Sequence, residues 1–346
     1  MRVDPTRTAE GGAADVRCAA PLPLLALRDL YVLAVVASLG TAGLLRSPRL
    51  KNLVVRCVAA TAFRFSHAKR RGSEETLARV FGRRVGARRR RAIVRGAFYE
   101  FWRDTFSLVP LRGERPAGGA RVQGLAHLSR ALDGGRGAIL WVSNNFGRMN
   151  ALKRTLHEHG LPVHKVHAEN HLGGFRGAGH PVTKLQDRHL GPFFEAHEKA
   201  FVAGMVYLTP ASLAFTRELV DRLEANAIVC VAADARFGRR FVPLPFLGIP
   251  ESFPTGVVTL ARMSGAPILP AFCIRGPRGE SRVIIEAPLA VDAHADRERG
   301  AEDVLGRWVR LLEHHARRHP SLYLNWHLIG TPTPERRHGT GRAGPW

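Results

Sequence analysis

The sequence has few cysteines, and none of them are paired. Its thiols are scattered, two of them within apolar runs, at Cys18, Cys57, Cys230 and Cys273. Disulfide frameworks and structural zinc sites need cysteines at short, regular spacings, and disulfides belong to oxidising compartments. We therefore expect a protein of a reducing compartment, with no disulfide framework and no metal site.

Acidic residues are scarce beside basic ones. The chain has 29 Asp and Glu against 52 Lys and Arg, which gives a formal net charge of +23. Such a surface attracts polyanions: nucleic acid, anionic phospholipid or an acidic carrier protein. A helix-turn-helix, zinc-finger or RNA-stacking motif is missing, so specific nucleic-acid binding is not expected.

The longest apolar run is too short for a straight membrane helix. It holds 16 residues, Leu30 to Leu45, whereas a bilayer crossing needs about 20. Arg28 and Asp29 disfavour a secretory signal peptide. Basic residues follow the run directly, which marks the cytoplasmic side of a membrane. Residues 21–47 are therefore predicted to associate with a membrane, as a single-pass or monotopic segment, or to form a buried docking helix.

The rest of the chain can bury a full core. Hydrophobic residues make up 45% of the 346 residues, and apolar strands without alternation recur between helical segments. This pattern predicts a mixed, mostly parallel α/β sheet flanked by helices. The predicted strands are 137–142, 163–167, 228–233, 267–274 and 282–285, and the predicted helices of this part are 124–132, 149–159, 215–226, 256–263 and 301–318. The predicted divisions are a flexible leader 1–20, the apolar segment 21–47, a basic helical region 48–115, an α/β domain 116–330 and a disordered tail 331–346.

One strand–loop–helix motif carries the main functional signal. A short apolar strand ends in Asn145-Phe146-Gly147, and a helix begins at about Met149. The motif resembles that of the bacterial lauroyl/myristoyl (lipid A late) acyltransferases, in which it reads His-Phe-Gly-Asn-Trp-Glu. Asn145 stands at the place of the histidine, and Asn150, five positions later, at the place of the acid.

Further segments resemble the same family in the expected order, over about residues 25–330. They are Val122–Gly124, Asp133–Gly137, Arg222–Asp234, Phe241–Gly248, Thr255–Gly256, Ser264–Pro270 and Pro320–His327. The resemblance implies a glycerolipid acyltransferase-like fold and acyl transfer to a membrane lipid-type acceptor, from acyl carrier protein or acyl-CoA, without a cofactor. It also implies a place on the cytoplasmic face of a bacterial inner membrane, against an anionic surface.

The two asparagines put the activity in question. In the family a histidine acts as general base and the acid orients it, whereas a neutral amide has no basic lone pair. Asn150 is expected to bond Asn145 or a backbone group. Three interpretations stay open: a non-catalytic lipid- or carrier-binding paralogue, an enzyme whose base comes from elsewhere, or an acceptor that needs no strong base. We favour an enzyme, with the pseudoenzyme as the alternative.

Histidines elsewhere are the first candidates for a substitute base. His164 and Glu169 have the right spacing, but an odd offset on a strand sends them to opposite faces. His157 lies about 10 Å along the helix axis from the motif. His167 and His171 follow the second strand towards the carboxyl edge of the sheet, where sites of open α/β sheets gather. These two are the preferred substitutes.

Other residues near this edge are predicted to bind substrate or share in catalysis. Asp234 ends a core strand and is a candidate catalytic residue, while Arg236 and Arg239 behind it could grip a phosphate. Gly147 permits close backbone approach at a helix N-terminus that favours an anion or oxyanion. Arg148 could bind a phosphate or carboxylate there, or point into solvent.

The resemblance also marks two positions in the Phe241–Gly248 segment. Phe246 and Gly248 match the family's Val-Pro-Phe-Phe-Gly element. They are therefore expected to contribute to substrate binding.

Overall fold

A computed structural model describes the chain at residues 34, 37–38, 40–41, 47–109, 121–168, 183, 188–189, 191–208, 214–234, 238, 240–276, 279–292 and 296–331. The predicted leader, most of the apolar segment 21–47 and all but the first residue of the predicted tail lie outside these ranges. None of the helices within them combines the length and the apolar character that a bilayer crossing requires.

Three helices occupy the stretch that the sequence predicts to be helical: α1 (Pro48–Phe65), α2 (His67–Phe81) and α3 (Ala87–Phe106). On α1 the buried residues recur at spacings of three and four, at Val55, Ala59, Ala62 and Phe63, which gives the helix one inward stripe. The Phe63 ring meets the Phe98 ring of α3 edge-on at 5.6 Å. Burial of this stripe therefore holds α1 against α3.

The described residues of the domain form a seven-stranded sheet in the order β1-β9-β8-β2-β5-β3-β4. The strands from β8 to β4 are parallel, and β9 runs antiparallel to β8. The bounds are β1 Arg121–Gln123, β2 Ala138–Val142, β3 His164–Ala168, β4 Gly204–Leu208, β5 Ile228–Ala232, β8 Ile268–Arg275 and β9 Ser281–Ile285. The predicted mixed, mostly parallel sheet is confirmed.

Helices cover both faces of the sheet, and a separate hairpin joins β6 (Phe241–Phe246) to β7 (Ile249–Pro254). The five predicted helices of the domain are present within a few residues of their predicted bounds. The structure also contains elements that were not predicted, namely the strands β1 and β4, the helix at residues 191–199 and the hairpin. The helices are α4 Leu125–Asp133, α5 Met149–Glu158, α6 Gly191–Lys199, α7 Ala214–Glu224, α8 Gly256–Ser264 and α9 Arg297–Arg318.

The central strand β2 is buried on both faces. Ile139 and Trp141 belong to one core cluster, whereas Ala138, Leu140 and Val142 belong to the other. On the first face, the Trp141 ring lies 5.3 Å from the ring of Trp308 on α9. Because both faces are dry, β2 shows a continuous apolar run without alternation.

The register of two central strands creates the edge at which the candidate site lies. β2 and β5 are parallel neighbours, with Val142 opposite Ala232. The loop that follows β2 therefore emerges beside the turn that follows β5. Asn145 and Asp234, far apart in sequence, meet at this edge because both strands end at the same level.

Gly147 is fixed by contact with the neighbouring strand β8. Its φ is +83°, its N–H donates to the Leu322 carbonyl at 2.9 Å, and an added Cβ would lie 2.6 Å from the carbonyl oxygen of Cys273. The close backbone approach that the sequence predicts at Gly147 is thus made by the protein's own strand.

Replacing Gly147 with alanine should destabilise the fold for two reasons, the left-handed φ and the collision with β8. Gly135 has a φ of +70° and an open Cβ position, so Gly135→Ala is a matched control with the backbone penalty alone. We expect a loss in the free energy of unfolding of about 1 kcal/mol for Gly135→Ala and at least ~2 kcal/mol for Gly147→Ala. Denaturant unfolding measures both, and equal losses would contradict the steric role of β8.

Candidate functional site

The Asp234 carboxylate gathers the loop that follows β2. Its Oδ1 accepts from the Asn144 N–H at 2.7 Å, and its Oδ2 accepts from the Asn145 N–H at 3.2 Å and from Asn145 Nδ2 at 2.9 Å. The Ser143 hydroxyl also donates to Oδ2. Burial raises the pKa of Asp234, while these hydrogen bonds oppose the rise. The loop is therefore organised around one carboxylate.

The Asn145 amide is bonded at both ends. Its Nδ2 donates to Asp234, and its Oδ1 accepts from Asn325 Nδ2 at 2.9 Å. Asn325 lies in the segment that follows α9, and this segment is tied to the same loop through the Leu324 N–H, which donates to the Asn145 carbonyl at 2.7 Å. The orientation of the amide is thus set by a carboxylate on one side and an amide on the other.

The chain of hydrogen bonds continues into the N-terminal helices. Lys69 Nζ on α2 donates to Asn325 Oδ1 at 2.9 Å and lies 5.3 Å and 5.6 Å from the ring centroids of Phe98 and Phe101. Burial lowers the pKa of Lys69 to about 8. We call the connected residues Lys69, Asn325, Asn145, Asp234 and Ser143 the Asn145 network.

Asn150 belongs to a different set of contacts. Its N–H and that of Ala151 donate to the two carboxylate oxygens of Asp104, each at 3.0 Å, and its Nδ2 approaches the Asp104 carbonyl at 3.4 Å. Of the two partners that the sequence predicts for Asn150, the structure shows a backbone group. Asn145 and Asn150 therefore do not bond each other as the histidine and the acid of a dyad would.

The anion at the N-terminus of α5 is the protein's own. Asp104 takes the N–H groups of Asn150 and Ala151, while the N–H groups of Gly147 and Arg148 donate to the carbonyls of Leu322 and Cys273. A substrate anion or oxyanion was the expected ligand of this helix end. This expectation is corrected, because the buried Asp104 carboxylate of α3 takes that place. The dipole of α5 favours a negative charge at its N-terminus.

Arg148 does not reach solvent. Its Nε and Nη2 lie 2.8 Å and 2.6 Å from Glu100 Oε2, and the two side chains are 2% and 3% exposed. Arg275 lies 3.2 Å from the other oxygen of Glu100. The carboxylate that Arg148 binds is therefore that of Glu100 on α3. This buried ion pair corrects both expectations for Arg148, a position in solvent and a contact with a substrate phosphate.

Phe246 and Gly248 shape the hairpin. The Phe246 ring is 1% exposed and lies between the rings of Phe253 and Tyr323, at 6.2 Å and 5.5 Å. Leu247 and Gly248 link the strands with φ values of +55° and +80°, as in a two-residue type I′ turn. The expected substrate contact is corrected for Phe246, because its ring is enclosed by protein side chains.

The remaining predicted residues have no contact with Asn145 among the described hydrogen bonds, or lie outside the described ranges. His167 is part of β3, opposite Tyr207 of β4, and β5 separates β3 from β2 in the sheet. His171, Arg236 and Arg239 lie outside the described residues. Across the described part of the chain, no group of three or more His, Cys, Asp or Glu side chains is arranged to hold a metal ion.

Comparison with known proteins shows similarity to one family over part of the chain. Residues 202–328 match the model of the bacterial lipid A biosynthesis acyltransferases. The match covers less than half of the chain and shows similarity to this family. The matched stretch includes Asp234 and Asn325 but begins after Asn145 and Asn150, so the family match leaves the two asparagines without a counterpart.

Mycobacterial relatives extend the similarity. The chain is 25% identical over 226 residues to the phosphatidylinositol mannoside acyltransferase of Mycolicibacterium smegmatis, covering 60% of this chain and 65% of that protein. It is 26% identical over 198 residues to the enzyme of the same name from Mycobacterium tuberculosis strain CDC 1551, covering 53% and 54%. The chain thus spans between about half and two thirds of the length of these relatives.

The Asn145 network predicts the effect of one added charge. Asn145→Asp would place a second carboxylate at the position of an amide that now donates to Asp234 at 2.9 Å. Because two carboxylates at this distance cannot both ionise cheaply, the folded-state pKa of the pair rises. The free energy of unfolding should fall by roughly 2–4 kcal/mol at pH 7, since a pKa rise of two to three units costs that much.

The pH dependence has a definite sign. A carboxyl whose pKa is raised on folding loses stability as pH increases, so the deficit of Asn145→Asp should shrink when pH is lowered towards about 4. Asn144→Asp adds the same charge to the adjacent, exposed side chain and should cost less than about 1 kcal/mol. Urea unfolding at pH 4 to 8 measures both variants, and a pH-independent deficit for Asn145→Asp would contradict the contact.

Proposed function

We propose that this chain transfers an acyl group from a thioester, on acyl carrier protein or coenzyme A, to a hydroxyl of a membrane lipid-type acceptor. Similarity of residues 202–328 to the acyltransferase family supports this reaction, as do the names of the mycobacterial relatives. The Asn145 network lies at the carboxyl edge of the parallel strands, where open α/β sheets hold their ligands.

The observation that carries the proposal is the contact between Asp234 and the side chain of residue 145. A carboxylate that bonds this side chain at 2.9 Å is placed to orient a ring N–H, as the acid of a catalytic dyad does. This contact supports the proposal that the surroundings of Asn145 suit a histidine base. The site differs from the family's motif at both Asn145 and Asn150, while the Asp234 carboxylate supports residue 145 from a neighbouring strand.

A non-catalytic binding protein is the second candidate, and two observations favour it. Both ends of the Asn145 amide are already bonded within the protein. The Asp104 carboxylate occupies the N–H groups at the start of α5 that could otherwise stabilise an oxyanion. A protein of this kind would hold the acyl carrier or the lipid without turning the thioester over.

Turnover of labelled acyl thioesters in the presence of phosphatidylinositol mannoside or a bacterial lipid extract distinguishes the two functions. We expect the native protein to transfer label and Asp234→Asn to lose about 10²-fold or more, because both Asp234 oxygens accept hydrogen bonds from the loop and an asparagine has only one acceptor oxygen. Asp303→Asn changes an exposed carboxylate on α9, in an i,i+4 pair with Arg307, and should leave the rate unchanged.

Asn145→His restores the family's base and completes the comparison. If the native protein is silent and Asn145→His transfers label, the frame is intact and the natural protein is a binder. If neither protein transfers label with either donor, acyl transfer to these lipids is contradicted.

We also propose that the chain works against an anionic membrane surface, at the cytoplasmic face of a bacterial inner membrane. On α1 the large apolar side chains Leu50, Leu53 and Phe65 are 44%, 55% and 75% exposed. They lie outside the buried stripe of the helix. Arg56 and Arg64 of the same helix are also exposed, and exposed apolar and basic side chains together suit a helix that lies in the plane of a lipid interface.

Vesicle binding tests this surface. Leu53→Glu combined with Phe65→Glu should weaken binding to vesicles that contain phosphatidylglycerol by about tenfold or more, because apolar burial is lost and two charges are repelled. Met263→Glu changes an apolar residue of α8 that is 58% exposed and should bind as the native protein does. Co-sedimentation measures all three, and equal binding would contradict docking through α1.

A further inference from the structure

Lys69 is the titratable end of the Asn145 network. It donates to Asn325 Oδ1 at 2.9 Å, and Asn325 Nδ2 donates to Asn145 Oδ1 at 2.9 Å. The amine is therefore two hydrogen bonds from the side chain at the position of the family's base. The Asn325 amide joins them, with its oxygen towards the lysine and its nitrogen towards the asparagine.

The surroundings of Lys69 favour the neutral amine. The side chain is partly buried and lies against the faces of Phe98 and Phe101, and burial is the cause that lowers the pKa of Lys69 to about 8. Within the described residues, no carboxylate forms an ion pair with it that would oppose this shift. The acidic residues of α3 are engaged elsewhere, since Glu100 pairs with Arg148 and Asp104 caps α5.

Several other charged or titratable side chains around α2 have contacts of their own. Arg70 and His67 bond each other at 3.1 Å, and Arg91 of α3 lies over the Phe63 ring at 5.9 Å. His327 of the closing segment packs beside Gly72, one turn along α2. Lys69 is thus the amine that is both desolvated and joined to Asn145.

We propose that Lys69 accepts the proton from the acceptor hydroxyl during acyl transfer, in place of the missing histidine. The inference rests on the proposed acyl transfer. The neutral amine takes the hydroxyl proton as the oxygen attacks the thioester carbonyl, and a carbon–oxygen bond forms. When the tetrahedral intermediate collapses, the carbon–sulfur bond breaks, and the leaving thiolate takes the proton back from the ammonium group. An ester and a thiol result, and the lysine is regenerated.

Lys69→Arg separates proton transfer from charge and position. A guanidinium keeps the positive charge and can donate to Asn325, but it does not lose its proton. We expect kcat to fall by between about 10²- and 10⁴-fold, as for the loss of a positioned base, with an unchanged KM for the thioester. The native kcat/KM should rise with pH and level off above about 8, and this rise should be absent in the variant. Lys69→Met should show the same loss, and it replaces Lys69→Arg if the larger side chain prevents folding.

Lys199→Arg is the matched control, because Lys199 is exposed and pairs with Glu195 on α6. It should keep the native rate and pH profile. Native activity in Lys69→Arg, or an unchanged pH profile, would show that Lys69 positions Asn325 at most and would overturn the proposal. A native protein that is silent with both thioester donors would instead overturn the acyl transfer itself, and the role of Lys69 with it.

Discussion

The Asp234 carboxylate is the contact on which the candidate site depends. It is held at the end of β5 by the register with β2, and it accepts hydrogen bonds from Ser143, Asn144 and Asn145 in the loop beyond β2. Without an acceptor here, the donors of this loop would be left unsatisfied at a partly buried edge, which costs roughly 1–3 kcal/mol for each group. One acidic side chain therefore orients the donors of Ser143, Asn144 and Asn145.

The acidic residues of α3 play a comparable part in joining the N-terminal helices to the domain. Glu100 neutralises the buried Arg148, and Asp104 satisfies the first N–H groups of α5. Removing either partner of such a buried pair leaves a charge without compensation, at a cost of about 3–5 kcal/mol. The basic helical region is thus bound to the site through its few acids, and α2 is held in the position from which Lys69 reaches Asn325.

The fold and the site differ in how far the sequence predicts them. Buried parallel strands such as Ala138–Val142 have a clear apolar signal in the sequence. Because the carboxyl ends of parallel strands lie at the same edge of a sheet, the sequence also predicts that Asp234 and Asn145 share that edge. The hairpin β6–β7 lacks that signal because prolines interrupt it. Lys69 and Asn325 are 256 residues apart, and Arg148 meets its carboxylate inside the protein. Such pairings depend on how helices pack on the sheet, which no local pattern records. The contact of Ser143 with Asn145 is local, because the two residues are two positions apart, and it is the kind of contact that a sequence can indicate.

An asparagine at position 145 means that the base for acyl transfer has to come from another side chain. A histidine between Asp234 and Asn325 could take a proton and share its charge with the carboxylate, whereas the amide can only relay orientation from one partner to the other. The nearest group along the same hydrogen bonds that can change its protonation near neutral pH is the Lys69 amine, whose pKa burial lowers to about 8. A base at the far end of the network would need the acceptor hydroxyl to enter beside Asn325 and not over Asp234. Acceptor orientation should therefore differ between this chain and acyltransferases that have the histidine in this motif.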